Sequence, residues 1–398
     1  MTEQLNWILR NARIADAAPL VDLALAHGQI AALGASLPSN DGQEWDLQGR
    51  VALPGLVDAH VHLDKTFVEA ANQSGTLGEA ITVWRRVRQN LSAESFRSRA
   101  RRAIGQAVQQ GTTALRTHVD VLEAPDLIAL EAILQVRAET RHLVDLQIVV
   151  LGWPGESTEH TELMFTALQL GADLVGGAPA LLPDPANALA AVFALAERTG
   201  KAIDLHIDET EDPNICTLEL LADLTVTHGL QGQVTAGHCC SLAFMDDLTA
   251  GRIMDKVAAA RLNMVTLPSC NLVLQGRQRQ PAPRGITRVQ ELLARGVNVC
   301  VASDNVGDPF NPFGNYDLLY AANLNAHLAH MTGQQELLTS LRMVSQHAAQ
   351  TLGLPAAGLV VGAPADLLVV DCTNVRDAVT ILPPRLATFK RGQLIKKP

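Results

Sequence analysis

The stretch PGLVDAHVHLDKTF, at residues 54–67, leads from an apolar run into two histidines that stand one residue apart. Its proline and glycine separate the run from the preceding residues. Side chains alternate between the two faces of a strand, so His60 and His62 lie on one face and can bind the same ion. Taken alone, the pair fits a metal site and a polar strand end equally well, and the rest of the chain decides between them.

Further apolar runs follow this stretch, and longer helical segments separate them. The helical segments AESFRSRARRAIGQAVQQG and PANALAAVFALAERTG each end at a glycine, which suits a helix C-cap. Strands that alternate with helices predict parallel β/α units. We therefore predict an α/β fold, a (β/α)8 TIM barrel, whose eight strands are VDAHVHLD, TALRTHVDV, DLQIVVLG, DLVGGAP, AIDLHIDE, QVTAGHCC, NMVTLPSC and NVCVASDN.

The two ends of the chain differ from this middle part. Near the N-terminus, NWILRNARIAD, DLALAHGQIAALG and EWDLQGRVALPG show alternating apolar residues bounded by Gly, Asn and Asp, and ADLLVVDC and LATFKRGQLIKK repeat the pattern near the C-terminus. Such alternation is typical of half-buried antiparallel strands. We expect residues 1–57 and 355–398 to form one small β-sandwich domain, and residues 58–354 to form the barrel.

Composition and charge limit the class of function. A chain of 398 residues with 47% apolar character can bury a large core. Its net charge of −10 comes without a basic block, which argues against a nucleic-acid partner. Apolar runs of roughly 18 residues and a secretory signal are both missing from the sequence, so we expect a cytoplasmic protein without membrane contact. The cysteines form no paired framework, and we expect them to be reduced and packed.

Chemistry in such barrels takes place at the C-terminal ends of the strands. Strand 1 ends with His60 and His62, and strand 8 ends at Asp304. Strand 5 adds His206, so that three nitrogens and one oxygen meet at the rim, a set that suits zinc or ferrous iron. We predict one divalent ion per chain, Zn²⁺ or Fe²⁺. Two further polar residues, Glu209 after strand 5 and His238 at the end of strand 6, are candidate catalytic groups.

With these residues in place, the sequence resembles the amidohydrolase superfamily, in particular its cytosine deaminase-like branch, which also contains N-isopropylammelide isopropylaminohydrolase. The resemblance implies that Glu209 moves protons beside the leaving amine, that His238 polarises the attacking water and that Asp304 accepts a proton. It also implies a metal site made of His60, His62, His206 and Asp304. The matching stretches cover nearly the whole chain and are PGLVDAHVHLDKTF, LRTHVDV, GADLVGG, DLHIDETED, VTAGHCC, GITRVQELLARGVNVCVASDNVGDP and NPFGN.

Two metal arrangements of related enzymes do not match this sequence. Binuclear members of the superfamily bridge two ions with a carboxylated lysine at strand 4, whereas GADLVGGAPALLPD contains no lysine. The zinc deaminases that edit nucleic acids use His-x-Glu and Pro-Cys-x-x-Cys ligands, and this chain has no Cys-x-x-Cys. A single ion in an amidohydrolase barrel is the better prediction.

Of the four candidate substrate-binding residues, three mark differences from cytosine deaminase, and the fourth is Lys65. Trp153 stands where that enzyme has a glutamine that reads the pyrimidine edge, so the hydrogen-bond pattern differs or Glu156 supplies it. Asn305 replaces a second aspartate, as in the isopropylammelide enzyme, and Phe310 replaces a tryptophan wall. Lys65 fits a surface position and a pocket position equally well.

The expected reaction is hydrolytic deamination of a small amino-heterocycle. Cytosine or a 5-substituted cytosine such as 5-methylcytosine is the first choice, because Glu209 follows the deaminase pattern after strand 5. The alternative is an N-substituted aminotriazine, as in the isopropylammelide enzyme, or another cyclic amidine. A non-catalytic scaffold is disfavoured, because all the ligand positions are filled. We expect a homo-oligomer, and we interpret His118 as a neighbour of the metal ligands that does not bind the ion.

Overall fold

The computed structural model describes residues 6–39, 42–122, 127–355 and 358–396. Its centre is a sheet of eight parallel strands in the order β13-β12-β11-β10-β9-β8-β7-β6. A bridge between Val61 and Asp304, which follows the last strand, connects the two edges of the sheet, and the Asp304 amide donates to the His60 carbonyl at 2.8 Å. The strands are β6 Leu56–Val61, β7 Thr112–Asp120, β8 Asp145–Leu151, β9 Leu174–Val175, β10 Ile203–Ile207, β11 Val234–His238, β12 Asn263–Thr266 and β13 Asn298–Val301.

Two four-stranded sheets from the chain ends stand beside the barrel. One has the order β3-β2-β1-β4 and the other the order β16-β15-β14-β5. Leu25 and Ile30 of the first sheet share a buried cluster with Val369 and Phe389 of the second, so the sheets pack face to face. The strands are β1 Trp7–Ala12, β2 Val21–Ala26, β3 Gln29–Gly34, β4 Gln43–Asp46, β5 Val51–Pro54, β14 Leu367–Val370, β15 Arg385–Lys390 and β16 Gln393–Lys396.

The predicted fold, a barrel with a small sheet domain, is confirmed. The domain boundaries at residues 57 and 355 stay a prediction. Parts of the two predicted domains, at residues 1–5, 40–41, 123–126, 356–357 and 397–398, lie outside the described residues.

Helices surround the barrel and connect its strands. The predicted helix after residue 185 begins with Pro185 behind the N-cap Asp184, and it ends at Gly200 with φ of 67°, as a left-handed C-cap requires. Among the described residues, no helix combines the length and apolar character needed to cross a bilayer. The helices are α1 Leu77–Arg88, α2 Ala93–Gln109, α3 Ile128–Thr140, α4 Thr158–Gln169, α5 Pro185–Thr199, α6 Thr217–Thr227, α7 Asp247–Ala259, α8 Pro268–Leu274, α9 Val289–Ala294, α10 Leu318–Leu328, α11 Gln334–Met343, α12 Gln346–Thr351 and α13 Asp377–Thr380.

Seven of the eight barrel strands are shorter than the sequence predicts, with β7 as the exception, and three of them show the cause. The first ends at Val61, because the carbonyl of His62 already accepts turn hydrogen bonds from the amides of Lys65 and Thr66. The fourth has only two residues, since it runs into Gly176 and Gly177. The seventh ends at Thr266, just before the proline that starts α8. The polar residues therefore stand on loops at the strand ends, within reach of one another.

Candidate active site

The four predicted metal ligands converge at the C-terminal ends of the strands. The Nε2 atom of His206 lies 3.2 Å from Nε2 of His60 and 3.2 Å from Nε2 of His62. Oδ1 of Asp304 lies 3.6 Å and 3.3 Å from the same two atoms of His60 and His62. Four ligand atoms placed tetrahedrally about 2.1 Å from a zinc ion are separated by about 3.4 Å. The spacing of this cluster therefore fits one tetrahedral ion.

The protonation and burial of these groups also fit an ion. Burial lowers the pKa values of all three imidazoles, that of His206 to about 3, so their ring nitrogens are neutral near pH 7. Both carboxylate oxygens of Asp304 are buried without a hydrogen-bond partner in the described part of the chain, and burial raises its pKa to about 7. Such unpaired oxygens are costly unless a cation balances them. The ligand assignment itself stays a prediction.

Glu209 and His238 lie beside the ligand cluster. Oε1 of Glu209 is 3.4 Å from Nδ1 of His238, and that nitrogen is 4.0 Å from Oδ2 of Asp304. Burial, followed by the nearby charge of Asp304, raises the pKa of Glu209 well above its usual range. The shift favours the acid form of the carboxyl group, the form that a general acid requires. The amide of Asn271 contacts the same Nδ1 of His238 at 3.1 Å.

Lys65 is buried and belongs to a chain of polar contacts. Its ammonium donates to Oδ1 of Asp120 at 2.6 Å and lies 3.2 Å from Nδ1 of His62. The indole of Trp84 donates to the other oxygen of Asp120 at 2.6 Å. Burial disfavours the charged amine, but the carboxylates of Asp120 and Asp64 outweigh it and raise the pKa of Lys65. Of the two predicted alternatives for Lys65, a surface position and a pocket position, the structure shows the pocket position.

A cavity of about 260 Å³ opens above the cluster. It lies near the lower end of the size range of ligand pockets, which suits a small ring. All four candidate substrate-binding residues line it: Lys65, Trp153, Asn305 and Phe310. Glu156 does not; it pairs with His160 at 3.2 Å. The two catalytic candidates Glu209 and His238 also face the cavity.

His118 lies inside the barrel against the ligands. Its ring stacks on His60 with centroids 4.0 Å apart, and its Nε2 is 3.6 Å from Oδ1 of Asp204. The ring is fully buried, and it does not line the cavity. This placement agrees with a neighbour of the ligands, although the group His60, His118 and His206 is also close enough to hold an ion.

Sequence reasoning missed the helix that covers the cavity. α1 lines it with Leu77, Ile81, Trp84 and Arg85, which share one helical face. Their spacing of four, three and one residues was readable in the sequence as a helix face. Nothing in that pattern indicated that the face turns toward the site, because the turn before α1 depends on distant contacts such as the one from Asn72 to the Pro309 carbonyl. Asp120, at the end of β7, was missed as well.

Asn305 connects the cavity wall to a buried acid, and this contact predicts the effect of Asn305→Asp. Its Nδ2 donates to Oδ2 of Asp308 at 2.6 Å, and burial raises the pKa of Asp308 to about 6. The new carboxylate would oppose Asp308. We expect a loss of about 1 to 3 kcal/mol in unfolding free energy at about pH 8, and a smaller loss at about pH 5, where one carboxyl is protonated and can donate to the other.

Denaturant unfolding of wild type and variant at both pH values measures this difference. Asn315→Asp is the control, because Asn315 is exposed and its acceptor oxygen is retained. Equal losses at the two pH values would argue against charge repulsion as the cause.

Comparison with known proteins agrees with this arrangement. The family model described as "Amidohydrolase family" matches residues 80–396. The structure of 5-methylcytosine deaminase from Klebsiella pneumoniae superimposes with a TM-score of 0.94 at 36% identity, over 98% of both chains. That of N-isopropylammelide isopropylaminohydrolase from Burkholderia multivorans gives a TM-score of 0.88 at 29% identity, again over 98% of both chains.

A curated relative extends the range of similar enzymes. The pterin deaminase of Rhizobium rhizogenes is 33% identical, over 98% of this chain and 89% of its own length. The resemblance predicted from the motifs is therefore confirmed. The chain belongs to the amidohydrolase family, and it is a hydrolase that acts on carbon–nitrogen bonds.

Proposed function

We propose that this protein is a metal-dependent deaminase of cytosine or of a 5-substituted cytosine such as 5-methylcytosine. The observation that carries the proposal is the position of the Glu209 carboxyl, which lines the cavity beside His238 and the converging ligand atoms. In the reaction, water adds to the ring carbon, the exocyclic carbon–nitrogen bond breaks, and a carbonyl and ammonia result. The similarity to 5-methylcytosine deaminase supports this choice of substrate.

Each residue of the site has its own role in the proposed reaction. His60, His62, His206 and Asp304 would hold one divalent ion, which when bound lowers the pKa of a water to about 7. Asp304 accepts the proton of the attacking water, and His238 orients that water. Glu209 gives its proton to the adjacent ring nitrogen, takes up the proton that Asp304 accepted from the water, and passes it to the amine, which leaves as ammonia. As the carbonyl forms, the hydroxyl proton of the adduct returns Glu209 to its acid form.

The cavity wall suits a flat ring with a small substituent. Trp153 and Phe310 offer aromatic surface for a heterocycle, and Asn305 brings a neutral amide where a carboxylate would add charge. An N-substituted aminotriazine or another cyclic amidine, such as a pterin, is the second candidate. It is favoured by Trp153, whose indole provides one donor and no acceptor, and by the similarity to the isopropylammelide hydrolase and the pterin deaminase.

Product analysis with the metal-loaded enzyme tests the proposal. We expect ammonia from cytosine and 5-methylcytosine, with kcat/KM about 10-fold higher for the methylated base, because one methyl group in an apolar pocket is worth about 1 to 3 kcal/mol. N-isopropylammelide and pterin are assayed in parallel. Release of isopropylamine, or deamination of pterin alone, would assign the second candidate instead.

A further inference from the structure

The charged groups that line the cavity are nearly all paired inside the protein. Lys65 and Asp120 form an ion pair at 2.6 Å. Asp208 accepts from the amides of Thr217 and Leu218, each at 3.0 Å, and thereby caps α6. Glu209 faces His238 at the buried end. Lys65, Asp120 and Asp208 therefore already have polar partners inside the protein.

Arg85 is the exception. It lines the cavity from α1, and its guanidinium carbon lies 5.5 Å from the centre of the Trp153 ring, within the range of a cation–π contact. Within residues 6–39, 42–122, 127–355 and 358–396, no carboxylate forms an ion pair with it. By contrast, Arg97 and Arg101 on the neighbouring α2 both pair with Glu94. An unpaired arginine is notable at this position in a chain with 41 acidic and 31 basic residues.

The burial of the residues around the cavity indicates which end of a bound ligand would contact Arg85. The ligand cluster is buried, with His60 at 0% and His62 at 3% exposure, whereas Trp153 is half-buried and Arg85 is exposed. A heterocycle whose reacting carbon faces Glu209 therefore directs its opposite edge toward Trp153 and Arg85. The wall between these two ends is apolar and includes Leu77, which supplies no hydrogen bond to a neutral polar substituent.

We propose that Arg85 is a specificity-determining residue, and that the substrate carries a carboxylate on the ring edge opposite the reacting carbon. This inference rests on the proposed deaminase function and extends its substrate class from the bare base to rings that also carry this acid group. The planar guanidinium offers two parallel donors to a carboxylate, while its face remains against the indole of Trp153. The pair forms at the cavity mouth, so the charge of the substrate need not be fully desolvated.

Matched substrate pairs test this proposal with the metal-loaded enzyme. The probes are cytosine-6-carboxylate with cytosine-6-carboxamide, and pterin-6-carboxylate with pterin-6-carboxamide, because each substituent lies across the ring system from the amino group. We expect kcat/KM to favour the carboxylate about 10- to 100-fold in at least one pair, as for a hydrogen bond to a charged group. The preference should shrink as salt concentration rises, since an exposed charge pair is screened.

Variants of α1 locate the effect. Arg85→Met should remove the preference and Arg85→Glu should reverse it, whereas Arg86→Met should retain it, because Arg86 is equally exposed on the same helix but does not line the cavity. Equal kcat/KM for both members of each pair in the wild type would overturn the inference and leave the deaminase proposal intact. Equal losses in the two Met variants would also overturn it. If cytosine, 5-methylcytosine, pterin and all four probes release no ammonia, the proposed function itself is wrong.

Discussion

Glu209→Gln is expected to lower kcat by about 10²- to 10⁴-fold, the range associated with general acid–base catalysis. Gln has the same shape but cannot give a proton to a ring nitrogen. Oε1 of Glu209 lies 3.4 Å from Nδ1 of His238 and is not among the converging ligand atoms, so the metal content should not change. Single-turnover kinetics and elemental analysis of the same preparation measure both quantities.

The pH profile distinguishes proton transfer from a structural effect. Burial and the charge of Asp304 raise the pKa of Glu209, so the wild type keeps the acid form to a higher pH than an exposed glutamate does and loses it as the pH rises through that raised pKa. The wild-type kcat should therefore fall on the alkaline side, and the Gln variant should lack this decline. Glu156→Gln is the matched control, because Glu156 lies outside the cavity wall and pairs with His160. Near-normal turnover of Glu209→Gln would refute the assignment.

The positions of the candidate ligands were predictable because barrel topology brings distant residues together. His60 and Asp304 are far apart in the sequence, but they lie toward the C-terminal ends of the first and last predicted strands, and closure of the barrel joins the Asp304 amide to the His60 carbonyl. A predicted strand order is therefore enough to place them side by side. The same argument places His206 at that rim, without any knowledge of side-chain contacts.

The wall of the cavity was less predictable, because it depends on loops. Lys65 had two equal alternatives, and its burial is decided by the carboxylate of Asp120, at the end of another strand. Trp84 reaches the same carboxylate from α1, a helix whose direction no local pattern determines. Glu156 was a candidate donor by its position in the sequence, yet it turns toward His160. Loop side chains follow such long-range contacts more than periodicity.

The same limit applies to the lengths of the strands. The fourth was predicted from DLVGGAP but contains only Leu174 and Val175, since a side chain at Gly176 would come within 2.5 Å of the Val150 carbonyl oxygen. After Val175, Gly176 and Gly177 allow the backbone to pack closely against its neighbours, and the strand pairing of β9 does not continue. The loop after this strand lines the cavity with Ala178, Ala180 and Leu181.

Removal of the metal is expected to abolish turnover, with a loss of at least about 10³-fold, because an ion that activates water contributes several kcal/mol to the transition state. Elemental analysis of enzyme expressed with added zinc or iron should give about one ion per chain, since the ligand atoms surround a single point. The chelated protein should also unfold at a lower temperature, because binding at about 1,000 times the Kd adds about 4 kcal/mol. Re-addition of zinc or iron should restore both properties.

Three histidine variants show whether the ion is held by the proposed atoms. His206→Ala removes a nitrogen that lies 3.2 Å from two other ligand atoms, and it should abolish both metal content and turnover. His160→Ala, at an exposed surface pair with Glu156, should change neither. His118→Asn decides the remaining ambiguity, because His118 is close enough to His60 and His206 to bind with them. If His118→Asn keeps one ion per chain, the ligands are His60 and His206 together with His62 and Asp304. Loss of the ion in this variant, or two ions in the wild type, would show that the predicted mononuclear site is wrong.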